Sequence, residues 1–172
     1  IEDPIEYVFG CKNSIITQRQ VGVDTKSFSD GIKYALRQDP DVIFIGEIRD
    51  KETMEAALKA SETGHLVFST LHTNDAVQTI NRIVNMFDES NRYLIRKQLS
   101  ETLRATIAQK LVYSEQAKKR FPACEIMVVT STIKDYINKD NTDEIYELLR
   151  DNTVDNMISM NTSLAILTDK GC

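Results

Sequence analysis

Apolar positions recur along the chain with two periods, and their alternation predicts an α/β fold. In residues 27–37, SFSDGIKYALR, one helical face carries Phe28, Ile32, Ala35 and Leu36, with Ser27 or Ser29 placed to cap the start. Asp39-Pro40 ends this helix, because the residue before a proline is pushed out of the helical region. Val42 to Ile45 then form an unbroken apolar run, the pattern of a parallel strand covered on both faces. A second helix fits 51–63 and is closed by Gly64. HLVFSTL, residues 65–71, reads as another buried strand. Helices at 75–86 and 90–111 follow, the latter with Leu94, Ile95, Leu99, Leu103, Ile107 and Leu111 at helical spacing. FPACEIMVVT, 121–130, is a further strand, and short helices fill 131–170. Strands alternating with helices predict a mainly parallel sheet, with a polar helical tail as a small appended lobe.

Composition narrows the class. With 172 residues the chain can bury one core plus a small appendage. A net charge of -5 gives no global attraction to nucleic acid and leaves only a local basic patch open. No apolar run approaches the roughly 20 residues that span a bilayer, so no membrane insertion is expected. The opening IEDPIEY is not a secretory signal, which points to a cytoplasmic chain. Cys11, Cys124 and Cys172 are odd in number and far apart, the spacing of free thiols rather than of a disulfide framework or zinc site. Ile1 is not an initiator methionine, and IEDPIEY reads as a strand end running into a loop, so the chain is expected to begin inside a domain.

Three stretches could carry chemistry. In LRQDPDVIFIGEIRD, residues 36–50, an apolar strand delivers Glu47 at its carboxyl end, where open parallel sheets bind ligands. An acid there can orient water or complete a magnesium shell; alternatively it is a solvated strand cap. IEDPIE, residues 1–6, gathers Glu2, Asp3 and Glu6 around Pro4. Carboxylates held together suit a cation site or a base, or simply make an acidic surface turn. TGHLVFSTLHTNDA, residues 63–76, holds both histidines of the chain, His65 and His72. They bracket one strand seven residues apart, so the rings face opposite sides and do not suit a shared metal. A polar group at the His72 end could sense a phosphate or switch a subunit interface.

Taken in order, IEDPIE resembles the aspartate box, DPDVIFIGEIRD the Walker B segment and TGHLVFSTLHTNDA the histidine box of the secretion-superfamily ATPases. NSIITQRQVGVDTKSF, QLSETLRATIAQKLV and CEIMVVT are similar to segments of its type IV pilus retraction (PilT-like) branch. The tetracysteine metal module common in extension and type II secretion ATPases is not in the sequence. The resemblance implies a RecA-like P-loop ATPase core, partial over 1–115, and a last core strand with a C-terminal helical lobe over 116–172. It implies a homo-hexameric motor that hydrolyses ATP with Mg2+ to retract pili in twitching motility. Such a motor lies at the inner face of the cytoplasmic membrane against a pilus platform protein.

By position, Glu6 is the implied general base, with Asp3 beside it, and Glu47 the acid serving Mg2+. His65 and His72 would couple nucleotide state to domain movement. Arg19 and Arg49 are candidates for phosphate or inter-subunit contacts, since arginine binds oxyanions bidentately, or for structural salt bridges. The sequence departs from the family at two places. GxxxxGK[ST] does not occur, so the phosphate-gripping loop is expected upstream and these residues alone should hydrolyse little ATP. STIKDYINKDN, residues 131–141, only loosely matches the retraction motif AIRNLIRE and also reads as an amphipathic packing helix. The alternatives are an assembly or secretion ATPase of the same superfamily, or a non-catalytic interaction module that keeps the fold.

Overall fold

The computed structural model describes residues 1–151 and 156–169. They form two compact units, Ile1–Leu71 and His72–Cys172. The boundary expected near residue 115 falls in the loop between two strands of the second unit.

The first unit is built on a short parallel pair. Helix α1 (Phe28–Ala35) is capped by Ser27, whose Oγ accepts from the Asp30 N–H at 3.1 Å. A 3₁₀ turn, Leu36–Gln38, and a left-handed Asp39 at φ 52° lead into β1 (Val42–Ile45). Helix α2 (Lys51–Glu62) is capped by Asp50, which accepts from the Thr53 N–H and from the Thr53 hydroxyl, both at 2.8 Å. Strand β2 (Leu66–Ser69) runs parallel to β1, with Val42 opposite Leu66 and Ile45 opposite Ser69. Ile32, Ile43, Ile45, Met54 and Leu58 supply the core.

The expectation that these strands are covered on both faces does not hold. Ile43 and Ile45 are buried, but Val42, Phe44, Leu66 and Phe68 are about half exposed. Pairing in register puts Val42 beside Leu66 and Phe44 beside Phe68, so all four share one face. Helices α1 and α2 lie against the sheet but leave this face open.

In the second unit, α3 (Ala76–Asn85) and α4 (Glu89–Thr102) precede a long antiparallel hairpin of β3 (Ala105–Ser114) and β4 (Lys119–Val128). Helices α5 (Ser131–Lys139), α6 (Thr142–Arg150) and α7 (Met160–Asp169) follow, as the helical tail predicts. Ile80, Met127, Ile133, Ile137 and Ile145 are fully or almost fully buried. Within STIKDYINKDN, Ile133 and Ile137 therefore act as core residues of α5, which packs on α4 and α6.

The helix expected over 90–111 stops at Thr102, and residues 105–111 are strand. Ile107 and Leu111 lie four apart, an even spacing that suits both one face of a helix and one face of a strand. On the strand, these large residues point outward at 71% and 60% exposure, while the smaller Thr106 and Ala108 face inward. β4 pairs with β3 rather than extending the parallel pair.

Candidate functional site

Glu47 stands just beyond β1, and its flanks are both held by Thr70, the residue after β2. The Thr70 hydroxyl donates to the Gly46 carbonyl at 2.5 Å, and the Ile48 N–H donates to the Thr70 carbonyl at 3.1 Å. The backbone on either side of Glu47 is thus tied to Thr70, just past the end of the parallel pair. It is 14% exposed and engaged at both oxygens by Arg49, with Nε to Oε2 and Nη2 to Oε1 each at 2.6 Å. This fork is the strong form of an ion pair, although the guanidinium is 66% exposed and solvent weakens it.

The acidic stretch runs beside this strand end. The Gly46 N–H donates to the Ile1 carbonyl at 2.8 Å, and the Ile1 nitrogen donates to the Phe44 carbonyl at 2.8 Å. Residues 1–2 therefore travel parallel to β1, and Asp3 leaves in the direction in which Glu47 leaves β1. A Cβ on Gly46 would meet the Ile1 carbonyl oxygen at 3.3 Å, which favours glycine immediately before the acid. Asp3 and Glu6 are both exposed, and Glu6 makes no hydrogen bond or ion pair to a described residue.

The loop that carries these acids is held by two glutamines. Glu2 bridges Gln20: its N–H donates to the Arg19 carbonyl, and its carbonyl accepts from Val21, both at 2.9 Å. Along residues 18–20 successive side chains point to opposite sides, as in a strand. Gln18 and Gln20 bond the acidic loop, while Arg19 turns the other way. The guanidinium donates to the Gly31 carbonyl at 3.3 Å and to Gln38 Oε1 at 2.6 Å, lining a cleft of about 580 Å³ with Thr17, Asp41 and Val42. Arg19 thus faces α1 and the amino end of β1, and the structure does not bring it to Glu47.

The histidines separate. His65 precedes β2, at the end of the parallel pair opposite Glu47, and its Nδ1 lies 3.1 Å from the Ala60 carbonyl and 3.2 Å from Thr63 Oγ1. It thereby closes the C-terminus of α2. His72 opens the second unit and is exposed. Its carbonyl accepts from Arg82 Nη1 of α3 at 2.9 Å.

A scan against family descriptions matches residues 1–169 to "Type II/IV secretion system protein". The chain belongs to that family. It is 42% identical, over 99% of its length and 49% of the relative's, to "Type IV pilus retractation ATPase PilT" of Pseudomonas aeruginosa. A "Type IV pilus assembly ATPase PilB" of Myxococcus xanthus is 43% identical but matches 72% of the chain and 19% of its own length. Among solved structures, "Crystal Structure of the Pilus Retraction Motor PilT and Bound ADP" superposes with a TM-score of 0.90 at 46% identity, covering 99% of this chain and 48% of that one. The RecA-like α/β fold expected from the sequence is therefore present, and the chain spans about half the length of these relatives.

Within this secretion-family fold, no group of three or more His, Cys, Asp or Glu among the described residues could hold a metal. Glu47, at the carboxyl end of β1, is a residue that could hold a divalent cation through one carboxylate oxygen. No helix among the described residues is long and apolar enough to cross a membrane. Cys11 and Cys124 are free thiols, as expected, and Cys172 lies outside the described residues.

Sequence reasoning missed Gln18, Gln20 and Thr70 as site residues. Their signals were weak: Gln18 and Gln20 share a strand parity, and Thr70 closes a strand next to the histidine. It also missed the role of Glu125. This carboxylate, 5% exposed on β4, accepts from the Ala76 N–H at 2.9 Å and the Met160 N–H at 3.4 Å, the first residues of α3 and α7. Unpaired N–H groups at helix starts attract a carboxylate.

Proposed function

We propose that the complete protein is an ATP-hydrolysing motor that retracts type IV pili, the activity behind twitching motility. The observation that carries this reading is Glu47: a carboxylate at the carboxyl end of a parallel strand, fixed on both flanks by Thr70, with the acidic loop leaving in the same direction. It sits within a match that covers 99% of the chain and 48% of a retraction motor solved with ADP. Glu47 would supply the protein ligand to Mg2+, which neutralises charge on the phosphates of ATP. Glu6, solvent-facing and without a partner among the described residues, is suited to accept a proton from the attacking water, with Asp3 beside it. Arg49 must leave at least one oxygen of Glu47 when the ion is bound, and its exposure lets it swing to phosphate or to a neighbouring subunit.

The proposal extends to the assembly. The complete protein would work as a homo-hexamer in the cytoplasm, at the inner face of the membrane, pushing against a pilus platform protein. His65 and His72 would couple nucleotide state to domain movement. The partial ATPase core and the C-terminal helical lobe expected from the sequence would move as nucleotide is bound and hydrolysed. The phosphate-gripping loop, which is not among these 172 residues, would belong to the rest of the protein.

The decisive measurement is ATP turnover and pilus retraction by the complete protein and its Glu47→Gln variant. Loss of both in the variant, with the fold retained, is expected. Full turnover by Glu47→Gln would end the assignment. An assembly ATPase is the second reading, because the assembly relative is as similar where it aligns. Pili that accumulate when the protein is deleted favour retraction, and pili that disappear favour assembly.

A further inference from the structure

The acidic loop has no helix or strand between Asp3 and Phe9, yet three of its backbone groups, at Ile5, Tyr7 and Phe9, are bonded to glutamine side chains. On one side of Glu6, the Ile5 N–H donates to Gln20 Oε1 at 3.2 Å. On the other side, Gln18 Nε2 donates to the Tyr7 carbonyl at 2.8 Å, and Gln18 Oε1 accepts from the Phe9 N–H at 2.8 Å. The same Nε2 also donates to Glu2 Oε1 at 2.9 Å. A single primary amide therefore spends both of its N–H groups and one oxygen lone pair on the start and the end of this loop.

We infer that Gln18 is the positioning residue for the Glu6 carboxylate. Glu6 has no hydrogen-bond or ion-pair partner among the described residues, so its place is set by the backbone at Ile5 and Tyr7, and both neighbours hang from glutamines of one strand-like segment. Gln18 carries more of this than Gln20, because it holds three groups rather than one. It is also the side chain that ties the loop back to Glu2, which is itself bridged to Gln20. The chemistry demands an amide. Two of the three groups facing position 18, the Glu2 carboxylate and the Tyr7 carbonyl, are acceptors and need a donor, while the third, the Phe9 N–H, needs an acceptor. A glutamate of the same shape supplies no donor and sets one carboxylate against another.

This inference rests on the reading that Glu6 acts in hydrolysis, and the test separates the two. In the complete protein, Gln18→Glu is expected to lower kcat by about 100-fold, the scale of a misplaced catalytic group, with KM for ATP changed by less than about twofold. Glu6→Gln should be at least as severe. The double variant Glu6→Gln/Gln18→Glu should be no slower than Glu6→Gln alone, because a residue that acts only through Glu6 has nothing left to position. Gln18→Asn keeps the amide but is one methylene short, and guards against failure to fold: it should retain the melting temperature and lose part of kcat. Undiminished kcat in Gln18→Glu, with Glu6→Gln inactive, would overturn the inference and leave the proposed function standing. Equal losses from Gln18→Glu in both backgrounds would assign Gln18 to general stability and overturn it as well. An active Glu6→Gln would remove the reading of Glu6 on which it rests.

Discussion

Unit Ile1–Leu71 and unit His72–Cys172 use the same side chain for opposite ends. In the first, Glu6 is exposed on a loop and Glu47 sits at a strand end under a guanidinium that solvent can reach. In the second, Glu125 is buried and consumed by two backbone N–H groups. The surroundings follow suit. The first unit has a short sheet with an open apolar face, whereas the second closes a core around Met127, Ile133, Ile137 and Ile145. Carboxylates thus face solvent or an exposed guanidinium in the first unit, whereas Glu125 in the second is committed to backbone. A glutamate in this fold has to be read by what already occupies its oxygens.

Substitutions can break that contrast, and the largest effect should fall on the first unit. Glu47→Gln or Glu6→Gln in the complete protein should reduce turnover by about 100-fold or more while the melting temperature stays near the parent's. A large fall in melting temperature would mean that these acids are structural. In the second unit the pattern should reverse. Ile137→Ala, at a fully buried site, should destabilise by about 2–5 kcal/mol in denaturant unfolding, the usual range for such a truncation. Glu125→Ala leaves two helix-start N–H groups without their acceptor and should destabilise by about 1–3 kcal/mol, with residual ATP turnover per folded molecule unchanged. A selective loss of turnover there would put Glu125 among the chemical acids. The smallest effect sharpens the account of Glu47: Thr70→Val removes one hydroxyl hydrogen bond, worth about 1 kcal/mol, and should lower kcat more than it lowers stability.

The sequence made Glu47 readable because its placement is a backbone matter. A four-residue apolar run followed by Gly-Glu reads as a strand that delivers an acid at its end, and β1 runs over Val42–Ile45 as expected. Cap chemistry was legible as a choice between Ser27 and Ser29, and Ser27 forms the bond. Glu6 was legible as an acid but not as a position, because side-chain amides from residues 18 and 20 set its loop, and sequence spacing does not show which atoms they reach. The β3 strand was misread since Ile107 and Leu111 satisfy two periods at once, and the pairing that decides between them comes from β4, more than ten residues away in sequence. Coverage of β1 and β2 was misread for a related reason. An apolar run says that a strand can be buried on both faces, not which neighbours within these residues do it. The sequence did not show where the side chains of Arg19 and His65 bond, which is to α1 and Gln38 and to the end of α2.

The two hydrogen bonds of Glu125 have a mechanical meaning. One carboxylate on β4 accepts from the first N–H of both α3 and α7, so the two helix starts share a single anchor. His72 is fastened to α3 at close range, through its carbonyl to Arg82 and through the few residues that lead to Ala76. His72 is thus tied, by hydrogen bond and by a short stretch of chain, to the helix start that shares its acceptor with α7.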